Sequence, residues 1–545
     1  MFAEHRPILQ QDRTSRSHLL LERRVDTLMR ALDSDYRDAA FTPGGVSWLD
    51  VHHLPARRLL TQVVRRVLST RREDETLPVT SSDRTVARRS PRFIASLPDV
   101  AEMGSGVFPA TPAARAAGAD RGTPSRPCHR ALIVAVSWRR GHVETLLPVL
   151  DELARRGITS TVIDLAGDTL HGFPQPSHPA IAVIRPPSLV PNGGLPVGAL
   201  HTLRAERSVR VGSHDVPVAR VAQLVARTVS RSAGITMPSW ATAVAMERWL
   251  DNLLGSVRPR ALLCADDTHP PGLLAARCAE RAGLETIYVQ PGARFEGEVA
   301  WRAQNCRHVA VMGSRDLEQC GSWQRRHRET RQYVLGQPRF DRLADTDRKA
   351  QRDYLNALFT VQAGDVPQRV LVWGCQPHPE GKLRTHFRTL LDGVLQAGPG
   401  WGLVIAPHSA QRLTSLRPLL SLPGGGRVVL AGPHVGARGC LAGADAFVTG
   451  HSDAAIEALL LNVPVLELVP PGDPTLALAR HGAAQRCSGG DGIAAALRHI
   501  ERMPVTSRVP SGVKEEICHW TGHSTDAVAD LVVRVITPEK ESPCS

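Results

Sequence analysis

Residues 447–468 read FVTGHSDAAIEALLLNVPVLEL. The apolar run Phe447 to Thr449 predicts a buried strand, Ser452 to Leu461 a helix, and Val463 to Leu468 a second strand. Within the helix, Ile456, Leu459 and Leu460 share one face, and Asp453 and Glu457 lie four apart on another. Strand, helix and strand in this order make a βαβ unit with parallel strands. Its first turn, Gly450 to Asp453, is small and polar. It leads into the free N–H groups of a helix start, a place that favours an anion.

The same alternation repeats ahead of this stretch. RVLVWG (369–374), GLVIAPH (402–408) and RVVLAG (427–432) are further strand candidates, and with the opening stretch they predict one doubly wound domain over 346–536. An earlier domain is expected over 131–345. There ALIVAVSWRRGHVETLLPVLDELARRGITSTVIDL (131–165) reads strand, glycine turn, amphipathic helix, strand. RALLCADDTHPPGLLAARCAERAGLETIYVQPG (260–292) repeats the pattern. YVLGQPRFDRL (333–343), punctuated by Gly and Pro, marks the boundary between the two. In such sheets ligands bind outside the carboxyl ends of the strands, so two facing halves predict a cleft.

The ends differ in character. Residues 1–72 carry two helix-like stretches, roughly His18 to Leu32 and Pro55 to Ser69, and predict a helical extension. LLTQVVRRVLSTRR (59–72) is amphipathic and basic, which suits either packing on a neighbouring helix or peripheral contact with a membrane surface. Residues 73–130, rich in Pro, Ser, Thr, Ala and Arg, predict a flexible linker, and 537–545 a tail.

Composition narrows the function. The chain has 545 residues, 42% of them apolar, and a net charge of +13. Only four of the basic residues are lysines, and aromatics make up 4% of the chain, so the charge is dispersed arginine rather than a Lys/Arg stripe interleaved with aromatics. A nucleic-acid partner is therefore not expected; anionic substrates or lipids fit the charge. Ten cysteines without a CxxC pair argue against a disulfide scaffold or structural zinc. No run of 18 apolar residues and no signal-like start is present, so the expected location is cytoplasmic, with the inner membrane face as a possible peripheral site.

In combination, SWRRGHVETLLPVLDELARRGI (137–158), GQPRFD (336–341), APHSAQ (406–411) and HSDAAIEALLLNVPVLEL (451–468) resemble nucleotide-sugar glycosyltransferases of the GT-B fold. The likeness is to the bacterial surface-polysaccharide, CDP-glycerol glycerophosphotransferase and UDP-GlcNAc 2-epimerase-like groups, and it covers about 131–535. It implies an α/β protein with two Rossmann-like doubly wound domains facing across a cleft. By motif, Gly450 and the backbone of Ser452, Asp453 and Ala454 would meet the donor diphosphate, and Glu457 the ribose hydroxyls. His408 matches the histidine of a KPHP motif whose lysine is here Ala406; it would approach the donor, with Gly374 and Gln376 as lids on the nucleotide.

On the other side, Gly141 and His142 resemble the GH loop in which the histidine acts as general base on the acceptor hydroxyl. Asp266 and Asp267, at another strand end, are the competing bases. The QHG of the polysaccharide group reads Gln290, Pro291, Gly292 here, which leaves the acceptor undefined. At the hinge, Gln337 and Arg339 are candidates, the arginine reaching either a phosphate or Asp341. The implied activity is metal-independent sugar transfer from a nucleotide-diphosphate donor to a hydroxyl acceptor, with the donor as co-substrate and no further cofactor. Glycerophosphotransfer, 2-epimerisation and a non-catalytic binding scaffold are the alternatives.

Overall fold

The computed structural model describes residues 6–74, 131–166, 173, 174, 176, 178–187, 207–230 except 213, 238–293, 305–321, 330–421 except 409, 410 and 412, 427–504 except 471, 472 and 474, and 509–537. The expected linker lies almost wholly outside them, as does the tail beyond 537.

Nine strands precede the boundary: β1 (Ile133–Ser137), β2 (Ser160–Asp164), β3 (Ile181–Ile184), β4 (Ser208–Val211), β5 (His214–Pro217), β6 (Ala261–Cys264), β7 (Glu285–Val289), β8 (His308–Val311) and β9 (Arg331–Val334). Seven of them form one sheet in the order β3-β2-β1-β6-β7-β8-β9, while β4 and β5 pair as an antiparallel hairpin. Every pairing in the large sheet is parallel; Ile133 of β1 stands between Ser160 of β2 and Ala261 of β6.

Six strands follow: β10 (Arg369–Gly374), β11 (Trp401–Ala406), β12 (Val428–Leu430), β13 (Ala446–Thr449), β14 (Val465–Leu468) and β15 (Ala484–Cys487). They form a second parallel sheet, β12-β11-β10-β13-β14-β15. Strands β1 and β11 are buried along their whole length, as expected where helices cover both faces of a sheet. The strand order reverses at β1/β6 in one sheet and at β10/β13 in the other, and at such points parallel sheets hold ligands. The protein is thus α/β with two Rossmann-like domains, the GT-B arrangement.

The helical extension expected at the start is present as the helices Arg6–Tyr36 and His53–Asp74, which pack as one of the layers of the first domain. Val25, Leu28, Leu32, Leu60 and Val64 share a core with Val134 and Val136 of β1 and Leu262 of β6. Their apolar faces are spent on the sheet, and Arg57 is turned inward to Glu22 and Asp26. Among the described residues no helix is long and apolar enough to cross a membrane.

The last helix, Ser524–Ile536, falls within the 346–536 expected for the second domain but packs on the first sheet. Val528, Leu531 and Val532 join a core with Ile133, Ala135, Leu150 and Leu263. Asp341 of the hinge directs it there, accepting the amides of Ser524 (3.0 Å) and Thr525 (2.7 Å) at the helix start.

Candidate active-site cleft

A cavity of about 530 Å³ lies at the strand carboxyl ends between the two sheets. Arg140, Gly141, Glu144 and Ala293 line it from the first domain and Arg339 from the hinge. The second domain contributes Gly374 to Pro377, Ala406 to His408, Pro433 to Arg438, His451 to Ala454, and Glu457.

The loop between β13 and the helix that follows it builds one wall. Helix Ala454–Leu460 begins after β13, and Ser452 closes its first turn: its Oγ accepts from the Ala454 amide (3.3 Å) and its carbonyl from the Ala455 amide (2.9 Å). Among the described residues no group accepts from the amides of Ser452 or Asp453. Gly450 leaves room for Gln376, since a Cβ there would lie 2.7 Å from Gln376 Oε1, the atom that accepts the His451 amide. The Gly374 carbonyl accepts from Thr449 Oγ1 (3.0 Å), which ties the loop after β10 to the end of β13.

Glu457 is 1% exposed, yet it borders the cavity. Its Oε1 receives Arg438 Nε at 2.8 Å, while Oε2 has no hydrogen-bond partner among the described residues. Arg438 in turn donates Nη1 to Glu144 Oε2 of the first domain at 2.8 Å. Burial alone would raise the Glu144 carboxyl, but Arg438, then Arg339 and Arg140, hold it below the ordinary carboxylate range. The Asp453 side chain is also engaged. Its Oδ2 meets Arg339 Nη2 at 2.9 Å and its Oδ1 accepts the Ala293 amide at 2.8 Å. Arg339, 5% exposed, therefore pairs with Asp453 rather than with Asp341, and its Nε is buried without a partner among the described residues.

His408 is exposed on the cavity wall. His451 borders the cavity with its ring 6.0 Å from that of His378, and burial followed by Lys382 pushes both imidazoles down to about 4. Both are neutral at pH 7.

The three residues expected to be catalytic do not line this cavity. Arg140, Gly141 and Glu144 face it from the helix Arg140–Arg155, whereas His142 points the other way, 2% exposed and edge-on to Trp138 with ring centroids 4.4 Å apart. Asp266 accepts from the amides of Thr268 and His269 and sits 2.7 Å from His269 Nδ1. Burial would raise it, but His269 first, then Arg139 and His142, hold it well below the usual range. Asp267 accepts the amides of Asn305 (2.6 Å) and Cys306 (3.0 Å), and burial pushes it up to about 6.

Gln290 and Gln337 are likewise buried beside the cleft rather than in it. Gln290 donates to the Gly292 carbonyl and to Asp316 and accepts from the Met312 amide, and Gln337 donates to the Gln290 carbonyl. Together they lock the hinge to the first sheet.

Glu144, Arg140, His434, Arg438 and His451 border the cavity without having been singled out from the sequence. Glu144 could have been found from its place two residues after His142. Arg438 carries no signal among so many arginines.

No family model and no curated protein matches the sequence. Among solved structures the chain resembles UDP-GlcNAc 2-epimerase from Methanocaldococcus jannaschii, with 12% identity and a TM-score of 0.46, covering 74% of this chain and 99% of that one. It also resembles the glycotransferase of kitacinnamycin (19%, TM-score 0.43, covering 74% and 99%). A third is MurG of Acinetobacter baumannii (12%, TM-score 0.41, covering 74% and 99%). At these values the likeness adds nothing about chemistry, and the fold class rests on the strand order described above.

Proposed function

We propose that the cleft binds a nucleoside-diphosphate sugar and transfers the sugar to a hydroxyl acceptor, making the chain a glycosyltransferase of the GT-B type. The observation that carries this reading is the Glu457 carboxylate: the residue borders the cavity, and a buried oxygen without a partner is costly unless a ligand donor completes it. A ribose hydroxyl is such a donor. One turn earlier, the amides of Ser452 and Asp453 are available to the diphosphate, and the Nε of Arg339 adds a charge-assisted donor. Gln376 and His408 then border the nucleotide.

In this reading the departing diphosphate is met by N–H groups of the loop after β13, so the reaction calls for no metal and no cofactor beyond the donor. The acceptor enters from the first-domain side. The neutral imidazole of His451 is a cavity group able to take its proton; His142, Asp266 and Asp267 do not line the cavity. A nucleotide-sugar donor suits a cytoplasmic enzyme, with polysaccharide or glycoconjugate synthesis as the setting. Epimerisation would need unengaged carboxylates around the sugar, whereas Glu144 and Asp453 are both ion-paired.

The test is a thermal-shift panel of UDP, CDP, GDP and dTDP on the wild type and Glu457→Gln. A donor nucleotide at a hundred times its Kd stabilises the folded protein by about 2.7 kcal/mol. The expected result is a rise in Tm with one nucleotide that Glu457→Gln abolishes or sharply reduces. A folded wild type that responds to none of the four sinks the reading in favour of a non-catalytic scaffold.

A further inference from the structure

We infer that Arg438 is a positioning residue that makes presentation of the Glu457 carboxylate to a ligand hydroxyl conditional on closure of the cleft, with Glu144 as its anchor on the opposite domain. The inference rests on the nucleotide-binding reading above and adds a coupling to it.

The geometry is a two-domain bridge through one guanidinium. Nε of Arg438 holds Glu457 Oε1 within its own domain, and Nη1 holds Glu144 Oε2 across the cleft, each at 2.8 Å. Both contacts use the planar fork of the guanidinium, so its orientation is fixed only while both carboxylates are in place. With Oε1 occupied in this way, Glu457 Oε2 is left as the oxygen without a partner. Arg140 Nε steadies the other oxygen of Glu144 at 2.8 Å, and Arg339 stands 3.9 Å from Glu144 on the hinge side.

Opening the cleft carries Glu144 away from Arg438. The guanidinium then keeps a single partner, and the Glu457 carboxylate loses the constraint that fixes its orientation and leaves Oε2 for a ligand donor. A ligand hydroxyl on Oε2 consequently binds the closed form more tightly than the open one, and by linkage its binding favours closure. Glu144 thus affects nucleotide affinity from the other domain, without itself contacting the nucleotide.

The experiment uses the full chain and whichever of UDP, CDP, GDP or dTDP the wild type binds, with affinity measured by calorimetry. Glu144→Gln should weaken binding about tenfold, and adding it to Glu457→Gln should cost almost nothing further, because both act through one carboxylate. Arg438→Lys keeps the charge but cannot span both carboxylates, so it should behave as Glu144→Gln does.

Affinity of Glu144→Gln within about twofold of wild type, or a double variant whose loss is the product of the single losses, would overturn the inference. A second readout needs no ligand: small-angle scattering should show a larger radius of gyration for Glu144→Gln than for wild type, and equal radii would overturn the bridge. A wild type that binds none of the four nucleotides refutes the nucleotide reading instead, and scattering still decides whether Arg438 holds the cleft closed.

Discussion

Arg339 and Asp453 form an ion pair 2.9 Å long that joins the hinge to the first turn of the helix Ala454–Leu460. The pair explains why an acidic residue stands where a diphosphate is expected: its charge is already committed to Arg339, and its other oxygen holds the Ala293 amide of the first domain. The packing is close, since a Cβ on Gly292 would lie 2.2 Å from Asp453 Oδ2. Asp453→Asn should therefore lower stability by about 1–2 kcal/mol, a figure discounted because the aspartate side chain is 35% exposed. Nucleotide binding by this variant should persist or tighten, because Arg339 is released and a negative charge leaves the phosphate site. Calorimetry on the folded variant checks this, and a loss of binding would show that the Asp453 side chain serves the ligand directly.

Asp341 gives a second expectation. It accepts two amides at the start of Ser524–Ile536, so Asp341→Ala removes a cap worth about 1–2 kcal/mol. Hydrogen exchange should accelerate in 524–536 while the strands of the second sheet keep their protection.

The pH dependence of stability should carry a signature of Asp267. Its folded-state value, about 6 against an ordinary 3.8, lies above that of the unfolded chain. Between those values the folded state holds the extra proton, so the contribution of Asp267 to stability falls as pH rises from about 4 to about 6, by about 3 kcal/mol, against the opposite trend of histidines such as His378 and His451. Asp267→Asn keeps an acceptor oxygen for the amides of Asn305 and Cys306 and has nothing to ionise. It should be more stable than wild type at pH 7, with the difference vanishing toward pH 4. Denaturation midpoints at both pH values decide the matter.

The N-terminal helices should prove indispensable. Leu60, fully buried in the core it shares with β1, should cost about 2–5 kcal/mol when changed to Ala. A chain beginning at residue 128 would expose Val134, Val136 and Leu262 and should be insoluble; a soluble, monomeric product with an intact far-ultraviolet spectrum would contradict the packing described.

Much of this architecture is legible in the sequence because parallel strands buried on both faces are written as short continuous apolar runs. Phe447 to Thr449, read as a buried strand, falls within Ala446–Thr449. The helix after β13 is shorter than its periodicity predicts, because Ser452 and Asp453 are engaged in capping and pairing rather than in helix. What local pattern cannot show is which remote surface a helix covers. The final helix reads as part of the domain it follows, and only the contact between Asp341 and Ser524 reveals where it goes.

The same limit governs the cleft. Glu457 is recognisable from its own loop, whereas His142 and Glu144 lie two residues apart on one helix and diverge in role through the direction each faces. Arg438 is defined wholly by carboxylates 19 and 294 residues away.

The return of the last helix to the first sheet means that the backbone passes between the halves twice, once after β9 and once before Ser524. The two passages touch: Trp520 Nε1 donates to the Phe340 carbonyl at 3.1 Å. A single tether would leave the halves free to twist and slide as well as to swing. Two tethers side by side define an axle, so the soft motion is rotation about one line and the far lip of the groove travels furthest. A protease nick in either passage would leave the halves joined by the other, with the swing intact and its axis no longer fixed.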